Sequence, residues 1–283
     1  MAILLEGKRV AESIYQKLLL DVSLLPVVPK LCVVLVGNNP ASETYVRSKA
    51  KKCGALGFSS EIVNLPATVA EEALIKKIQE LNQDPGTHGV LLQLPLPPHI
   101  HKERVLAHLD PLKDVDGLTV ENAGLLAQGR PRLIPCTPLG VIEMLKFYSL
   151  SLEGKHAVVL GRSDIVGKPM AQLLLAENAT VTLCHSKTVD LVTHTKSADI
   201  LVAALGKPHW VTPAMIKEGA VVIDVGIHRT DKGLCGDVEF DKVAPKCKAI
   251  SPVPGGVGPM TIAILMKNLV QAVSLQIKQR SKS

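Results

Sequence analysis

The chain is poor in aromatic residues: 283 residues include one Trp, three Tyr and three Phe. Single-stranded nucleic acids are held by bases stacking on aromatic rings set beside positive charge, and such rings are scarce here. Positive charge is itself modest, Lys+Arg 32 against Asp+Glu 26 for a net +6, without a basic run. A small anionic ligand suits that balance better than a nucleic acid. No C-x-x-C pair occurs; Cys32, Cys53, Cys136, Cys184, Cys235 and Cys247 are scattered. Scattered thiols without a disulfide framework point to reduced cysteines in a cytoplasmic protein. No metal site is expected, because His99 and His101 have no third ligand nearby. A membrane span needs ~20 apolar residues. The nearest run, TIAILMKNLVQAVSLQIK, is broken at helical spacing by Lys267, Asn268 and Gln271 and reads as a packed helix. The opening MAILLEGKRV meets charge at Glu6, too soon for a secretory signal.

What remains is 47% hydrophobic and 20% charged, long enough for about two domains with cores that need no staples. LCVVLVG (31–37) reads as a buried parallel strand, and Asn38-Asn39-Pro40 as the start of a helix reaching Gly54 or Gly57. EEALIKKIQELN is an amphipathic helix leading to a second strand, GVLLQLP (89–95). After LEGK (152–155), the strands HAVVLG, ATVTLCHS, ADILVAALG and AVVIDVGI alternate with helical patterns, the signature of a doubly wound parallel sheet. The expected architecture is α/β with two domains and a cleft between them. An N-terminal α/β catalytic domain covers 1–138 and is completed by a C-terminal helix, 260–283; a Rossmann-type nucleotide-binding domain covers 139–259.

Strand HAVVL (156–160) runs into Gly161-Arg162-Ser163-Asp164-Ile165-Val166-Gly167-Lys168-Pro169. A glycine-rich turn between strand and helix offers backbone N–H groups and a positive helix end to phosphate. Ser163 and Val166 stand where the fingerprint G-x-G-x-x-G has glycines, so the loop alone leaves an ordinary βα turn open. The phosphate loop G-x-x-x-x-G-K-[ST] fails, because the spacing is one residue too long and Pro169 replaces the hydroxyl that holds Mg²⁺. An NAD site places an acid about 20 residues on, for the ribose 2′-hydroxyl. Here the next strand ends Cys184-His185-Ser186-Lys187 without a carboxylate. Ser186, Lys187 and Arg162 would accept a 2′-phosphate, which favours NADP; a solvated strand end carries the same letters.

Tyr45 and Lys49 lie four residues apart, ~40° around a helix, on one face. Lys52 shares that face, so periodicity does not choose between the two lysines. Short-chain dehydrogenases carry Y-x-x-x-K after the nucleotide loop; here it precedes the loop, so that family does not fit. Gln93 ends a strand where ligands of open parallel sheets collect, or simply caps it. Lys113-Asp114-Val115-Asp116-Gly117 puts two acids in a turn. With Gly117 as the sixth residue of a calcium loop the first would be Leu112, so that reading fails. Cys136 has no base nearby and is not a nucleophile, while Thr137 suits a helix cap for TPLGVIEMLKFY.

Together these segments resemble the bifunctional methylenetetrahydrofolate dehydrogenase/methenyltetrahydrofolate cyclohydrolase family. The resemblance rests on YVRSK (45–49), GVLLQLPLP (89–97), KDVDG (113–117), PCTPLG (135–140), GRSDIVGKPM (161–170), HSKT (185–188), DVGI (224–227), GDVEF (236–240) and SPVPGGVGPMT (251–261). It implies NADP-dependent oxidation of 5,10-methylenetetrahydrofolate to the methenyl cation, then hydrolysis to 10-formyltetrahydrofolate at the same site. It also implies a cytoplasmic homodimer serving purine, methionine and histidine biosynthesis.

By position in those motifs, Lys49 is the general acid/base of hydrolysis, Tyr45 stacks on the folate aminobenzoyl ring, Gln93 holds the Lys49 amine and Asp116 anchors the pterin. Val46, Arg47, Ser48, Leu92, Leu94, Pro254, Gly255, Gly256, Val257 and Gly258 complete the substrate site. Gly161, Arg162, Ser163, Ile165, Ser186 and Ile227 contact NADP. A lysine serves as a base only when desolvation or a like charge lowers its pKa, and Gln93 accepts a hydrogen bond without adding negative charge. No ATP-binding domain for a fused formate–tetrahydrofolate ligase is evident. Two rivals remain: a dehydrogenase that has lost the hydrolase step, and a non-catalytic folate- or nucleotide-binding protein, against which the complete YVRSK, Gln93 and Asp116 set argues.

Overall fold

Apolar runs bounded by Gly and Pro become parallel strands in two separate sheets, and most of the amphipathic runs between them become helical crossovers. The computed structural model describes residues 2–231 and 233–281. In chain order its elements begin β1 (Ile3–Leu4), α1 (Gly7–Ser23), β2 (Lys30–Val36), α2 (Pro40–Ala55), β3 (Ser59–Leu65), α3 (Glu71–Gln83), β4 (Gly89–Leu92), α4 (Lys102–Leu106), α5 (Val120–Ala127) and α6 (Cys136–Phe147). They continue with β5 (His156–Leu160), α7 (Gly167–Ala176), β6 (Thr180–Cys184), α8 (Leu191–Lys196), β7 (Ile200–Ala203), β8 (Val221–Asp224), β9 (His228–Thr230), β10 (Gly233–Cys235), α9 (Phe240–Val243), β11 (Ala249–Ile250) and α10 (Val257–Arg280). Two compact units result, each assembled from separate stretches: Met1–Ser13 with Pro135–Ile264, and Ile14–Ile134 with Leu265–Ser283.

The second of these units holds a three-stranded parallel sheet in the order β3-β2-β4. Central β2 is buried from Leu31 to Val36, and Cys32 and Val34 pack with Leu74, Ile78 and Leu81 of α3. Strand β3 was not expected: its residues alternate between half-buried and exposed, so it lacks the continuous apolar run that marks β2. Strand β4 stops at Leu92, three residues short of the expected end at Pro95. Because β3 and β4 flank β2 on opposite sides, the strand order reverses at β2, and the carboxyl ends of β2 and β4 are where open parallel sheets collect ligands.

Residues 113–115 run beside β4, where the Val90 N–H donates to the Lys113 carbonyl and Asp114 bridges to Val90. Lys113 Nζ donates to the carbonyls of Leu81, Asn82 and Asp84 at 3.0, 2.7 and 2.7 Å, closing the end of α3. Asp114 is buried and accepts from the Thr119 N–H at 2.7 Å and Asn122 Nδ2 at 3.0 Å, which orders the start of α5. Burial pushes its carboxyl above the usual range, against the pull of those bonds. Asp114→Ala strands both donors, so denaturant unfolding is expected to record a loss of about 2–4 kcal/mol. An unchanged midpoint would remove Asp114 from this account.

Helix α10 is long and apolar enough, by length and composition, to cross a membrane. Two of its buried polar residues are nonetheless committed within the unit: Asn268 Nδ2 donates to the carbonyls of Val115 and Ile134, and Gln276 Nε2 to those of His88 and Leu112.

The other unit is built on a six-stranded parallel sheet, β1-β11-β8-β7-β5-β6. Val158, Leu160, Leu201, Ala203 and Val222 form its core with Met215, Ile216 and Val243. Here the order reverses at β5, so the crevice lies at the carboxyl ends of β5 and β7. The expected division at 1–138 differs from this partition at the amino end. Ile3 and Leu4 pair with Ala249 and Ile250, two strands of two residues each that no periodicity could reveal. Thr137 does not cap α6 either. Pro135 holds that place without a side-chain bond, and the Thr137 hydroxyl lies 2.9 Å from that of Thr261. None of the six cysteines is in a disulfide, and burial pushes Cys53 and Cys247 up to about 12 and about 11, so these two behave as core residues.

Candidate active site

Helix α2 buries Ser42, Val46, Lys49 and Cys53, a stripe spaced three and four apart that buried Leu56 continues just past the helix end. Lys49 therefore sits among apolar positions, 9% exposed, and its Nζ donates to Gln93 Oε1 at 2.9 Å. Gln93 is placed by its own backbone N–H, which donates to the Val34 carbonyl at 2.9 Å and carries the β2–β4 pairing one residue past β4. Its Nε2 donates to the Leu94 carbonyl at 2.7 Å, which fixes the amide with its oxygen toward Lys49. The lysine that shared the helix face is engaged elsewhere: Lys52 Nζ lies 4.0 Å from the centroid of the Tyr15 ring.

Around this pair the expected residues divide. Tyr45, one turn before Lys49, is 39% exposed, and burial of the rest pushes its phenol up. Val46 and Leu92 are core residues. Arg47 and Ser48 lie on the exposed face, where Arg47 pairs with Glu43 at 3.4 Å and Ser48 Oγ donates to the Thr44 carbonyl at 2.9 Å. Leu94 is half-buried, as is Asp116, which stands two residues past the Val90–Asp114 bridge at the same end of the sheet as Gln93.

In the six-stranded unit, Gly161 directly follows β5 with φ +111°, and a Cβ there would overlap the Ala204 carbonyl oxygen. A Cβ at Gly167 would likewise overlap the Gly161 carbonyl, so both glycines are required by close backbone approach. Ser163 Oγ accepts from the N–H groups of Val166 at 3.2 Å and Gly167 at 3.3 Å, which orders the entry to α7. Arg162, Ile165 and Ser186 are exposed. Asp164, a negative charge close to the expected phosphates, is paired with Lys168 at 2.6 Å. The turn that carries Ser186 is built by its neighbours: the His185 N–H donates to Thr188 Oγ1 at 2.8 Å and the Lys187 N–H to His185 Nδ1 at 3.1 Å. An exposed arginine and serine over a turn without carboxylates suit a phosphorylated ribose.

Pro254 to Gly258 belong to this same unit. The Gly7 N–H donates to the Gly255 carbonyl at 2.9 Å, and the Gly256 N–H to that of Pro252 at 2.8 Å. Gly255 has φ +103°, and a Cβ on Gly258 would rest 3.7 Å from Ile227 Cδ1, which brings two expected contact regions side by side. Two buried carboxylates, Asp224 and Asp237, stand in DVGI and GDVEF, where no spacing in the sequence singles either out. Among the described residues no group of three His, Cys, Asp or Glu could hold a metal ion.

Parallel sheets with a reversal of strand order, one with a glycine turn at that point and one with a buried amine, define a nucleotide-dependent α/β enzyme. Comparison with known proteins narrows the class. Residues 5–116 match the tetrahydrofolate dehydrogenase/cyclohydrolase catalytic domain, and residues 135–277 match the NAD(P)-binding domain of the same enzymes. The chain belongs to that family. It is 52% identical to the bifunctional protein FolD of Streptococcus thermophilus, over 98% of this chain and 100% of the relative. A crystal structure of the bifunctional enzyme FolD from Campylobacter jejuni is 45% identical with a TM-score of 0.95, covering 98% of this chain and 100% of that one. The Trypanosoma brucei enzyme, solved with NADP cofactor and an inhibitor, is 40% identical with a TM-score of 0.93, covering 98% and 99%.

Proposed function

We propose that the chain oxidises 5,10-methylenetetrahydrofolate with NADP and then hydrolyses the methenyl product to 10-formyltetrahydrofolate. The observation that carries the reading is the Lys49 Nζ–Gln93 Oε1 bond at 2.9 Å on a buried helix stripe. When bound, NADP supplies the hydride acceptor for the first step. Gly161, Arg162, Ser163, Ile165, Ser186 and Ile227 hold it, with Arg162 and Ser186 on the 2′-phosphate. In the second step Lys49 Nζ takes the proton of the attacking water, and Gln93 holds the amine without the charge that would keep it protonated. Tyr45 offers a ring to the aminobenzoyl group, and Asp116 accepts from the pterin N–H edge. Val46, Arg47, Ser48, Leu92, Leu94 and Pro254 to Gly258 complete the substrate contacts.

The test is an activity matrix of NADP and NAD against methylene- and methenyltetrahydrofolate. NADP reduction and methenyl hydrolysis are both expected. Oxidation without hydrolysis would select the single-activity dehydrogenase, and binding of both ligands without turnover the non-catalytic protein. NAD turnover equal to that with NADP would overturn the assignment of Arg162 and Ser186.

Gln93→Glu sharpens the second step. A carboxylate beside the amine favours its charged form, so hydrolysis should fall about tenfold or more at neutral pH, with the rising limb of its pH profile displaced upward. A profile that keeps its place would separate Gln93 from the proton transfer. We further place the enzyme in the cytoplasm as a homodimer supplying one-carbon units for purine, methionine and histidine biosynthesis; light scattering on the eluted protein reads the dimer directly.

A further inference from the structure

The six-stranded unit buries two carboxylates, Asp224 and Asp237, 3% and 0% exposed. Burying charge is expensive unless the oxygens are met by donors, and here they are. Asp237 Oδ2 accepts from the N–H groups of Leu205 at 2.6 Å and Gly206 at 3.0 Å, and its Oδ1 from the Lys207 N–H at 2.9 Å and His228 Nε2 at 2.7 Å. Asp224 Oδ1 accepts from Gly226 N–H at 3.0 Å and from the N–H of Asp237 itself at 2.9 Å, while its Oδ2 takes the Val238 N–H at 2.9 Å. One carboxylate thus builds the turn that presents the other. A Cβ on Gly226 would overlap the Asp237 carboxylate and one on Gly236 that of Asp224, so the flanking glycines leave the room these two side chains fill.

The segment held by Asp237 follows β7, and the reversal of strand order at β5 sets the ends of β5 and β7 on either side of the nucleotide crevice. Ala204 is the residue whose carbonyl Gly161 closely approaches. Successive N–H groups converging on one anion are what loops otherwise offer to phosphate, and here a built-in side chain occupies that position. We propose that Asp237 is a positioning residue for the dinucleotide: by gathering the N–H groups of 205–207 it fixes the wall of the crevice opposite Gly161–Ser163, while Asp224 holds both Asp237 and the Gly226–Ile227 turn. The proposal rests on the dinucleotide chemistry proposed above and extends it to a residue that touches neither ligand.

Asp237→Asn sets an amide donor among donors. The KM for NADP is expected to rise about tenfold or more, with kcat at saturating NADP within about threefold of the wild type. A loss of general stability would not produce that split. The increment in thermal midpoint given by NADP should also shrink, while the increment given by tetrahydrofolate persists. If Asp237→Asn does not fold, His228→Leu and His228→Gln carry the test. The leucine variant loses the donor and should raise the KM about threefold or more, whereas the glutamine variant restores a donor and should stay near the wild type. Equal KM values, or equal NADP increments, in wild type and variants would overturn the positioning role. A wild type without any NADP increment would instead overturn the dinucleotide reading beneath it.

Discussion

Lys49→Ala is expected to lower hydrolysis of methenyltetrahydrofolate by about a hundredfold to ten-thousandfold, the range over which a positioned proton acceptor acts. The geometry makes the effect specific. The amine lies on a buried helix stripe and meets Gln93 Oε1, so no neighbouring lysine can substitute; Lys52 is turned toward the Tyr15 ring. Lys49→Met serves as the companion variant, because it keeps the unbranched stem in the apolar stripe and removes only the amine. Lys49→Met should unfold close to the wild-type midpoint, whereas Lys49→Ala also removes the stem from the buried stripe and should lose some stability. Hydrolysis within about threefold of wild type in both would displace Lys49 from the reaction.

The second large effect is expected at Gly161→Ala. Its φ of +111° is costly for any residue with a Cβ, and the added carbon would overlap the Ala204 carbonyl. Either the β5 turn or the strand end at Ala204 must move, and these are the two sides of the nucleotide crevice. The variant should lose about 3–5 kcal/mol of stability and with it most NADP binding. Gly154→Ala separates the two causes: Gly154 also has positive φ, 70°, but nothing lies within 4 Å of the position its Cβ would take. That substitution should cost about 1 kcal/mol and leave NADP binding intact. Equal losses in the two variants would mean that backbone strain, and not the overlap, governs the site.

The part of the fold written most plainly in the sequence was the part with the most burial. Strands β2, β5 and β7 are apolar on both faces, so unbroken runs such as Val33-Val34-Leu35 and Ile200-Leu201-Val202 announced them. Edge strand β3 carried no such run, and β1 and β11 are each two residues long. The candidate site divides the same way. Tyr45 and Lys49 share a helix face and could be paired from spacing, and Gln93 could be placed at a strand end. That Lys49 meets Gln93 while Lys52 meets Tyr15 is tertiary information, set by which stripe of α2 turns inward. Asp114 and Asp237 left still less trace. Each serves backbone N–H groups, which every residue but proline has, so no letter at positions 119 or 205–207 points back to its acceptor.

Neither compact unit is a continuous stretch of chain. Residues 2–13 belong with 135–264, and 14–134 with the segment from 265 onward. On the ribosome the three-stranded sheet is synthesised early, yet Asn268 and Gln276, which tie down the carbonyls of Val115, Ile134, His88 and Leu112, emerge only after the whole 135–264 stretch of the other unit. The nascent amino-terminal half must therefore wait, its apolar surface uncovered, for the last helix to arrive. Expressing residues 1–134 and 135–283 as separate polypeptides divides both units at once, and a substitution that loosens α10 would be felt in a sheet made long before it.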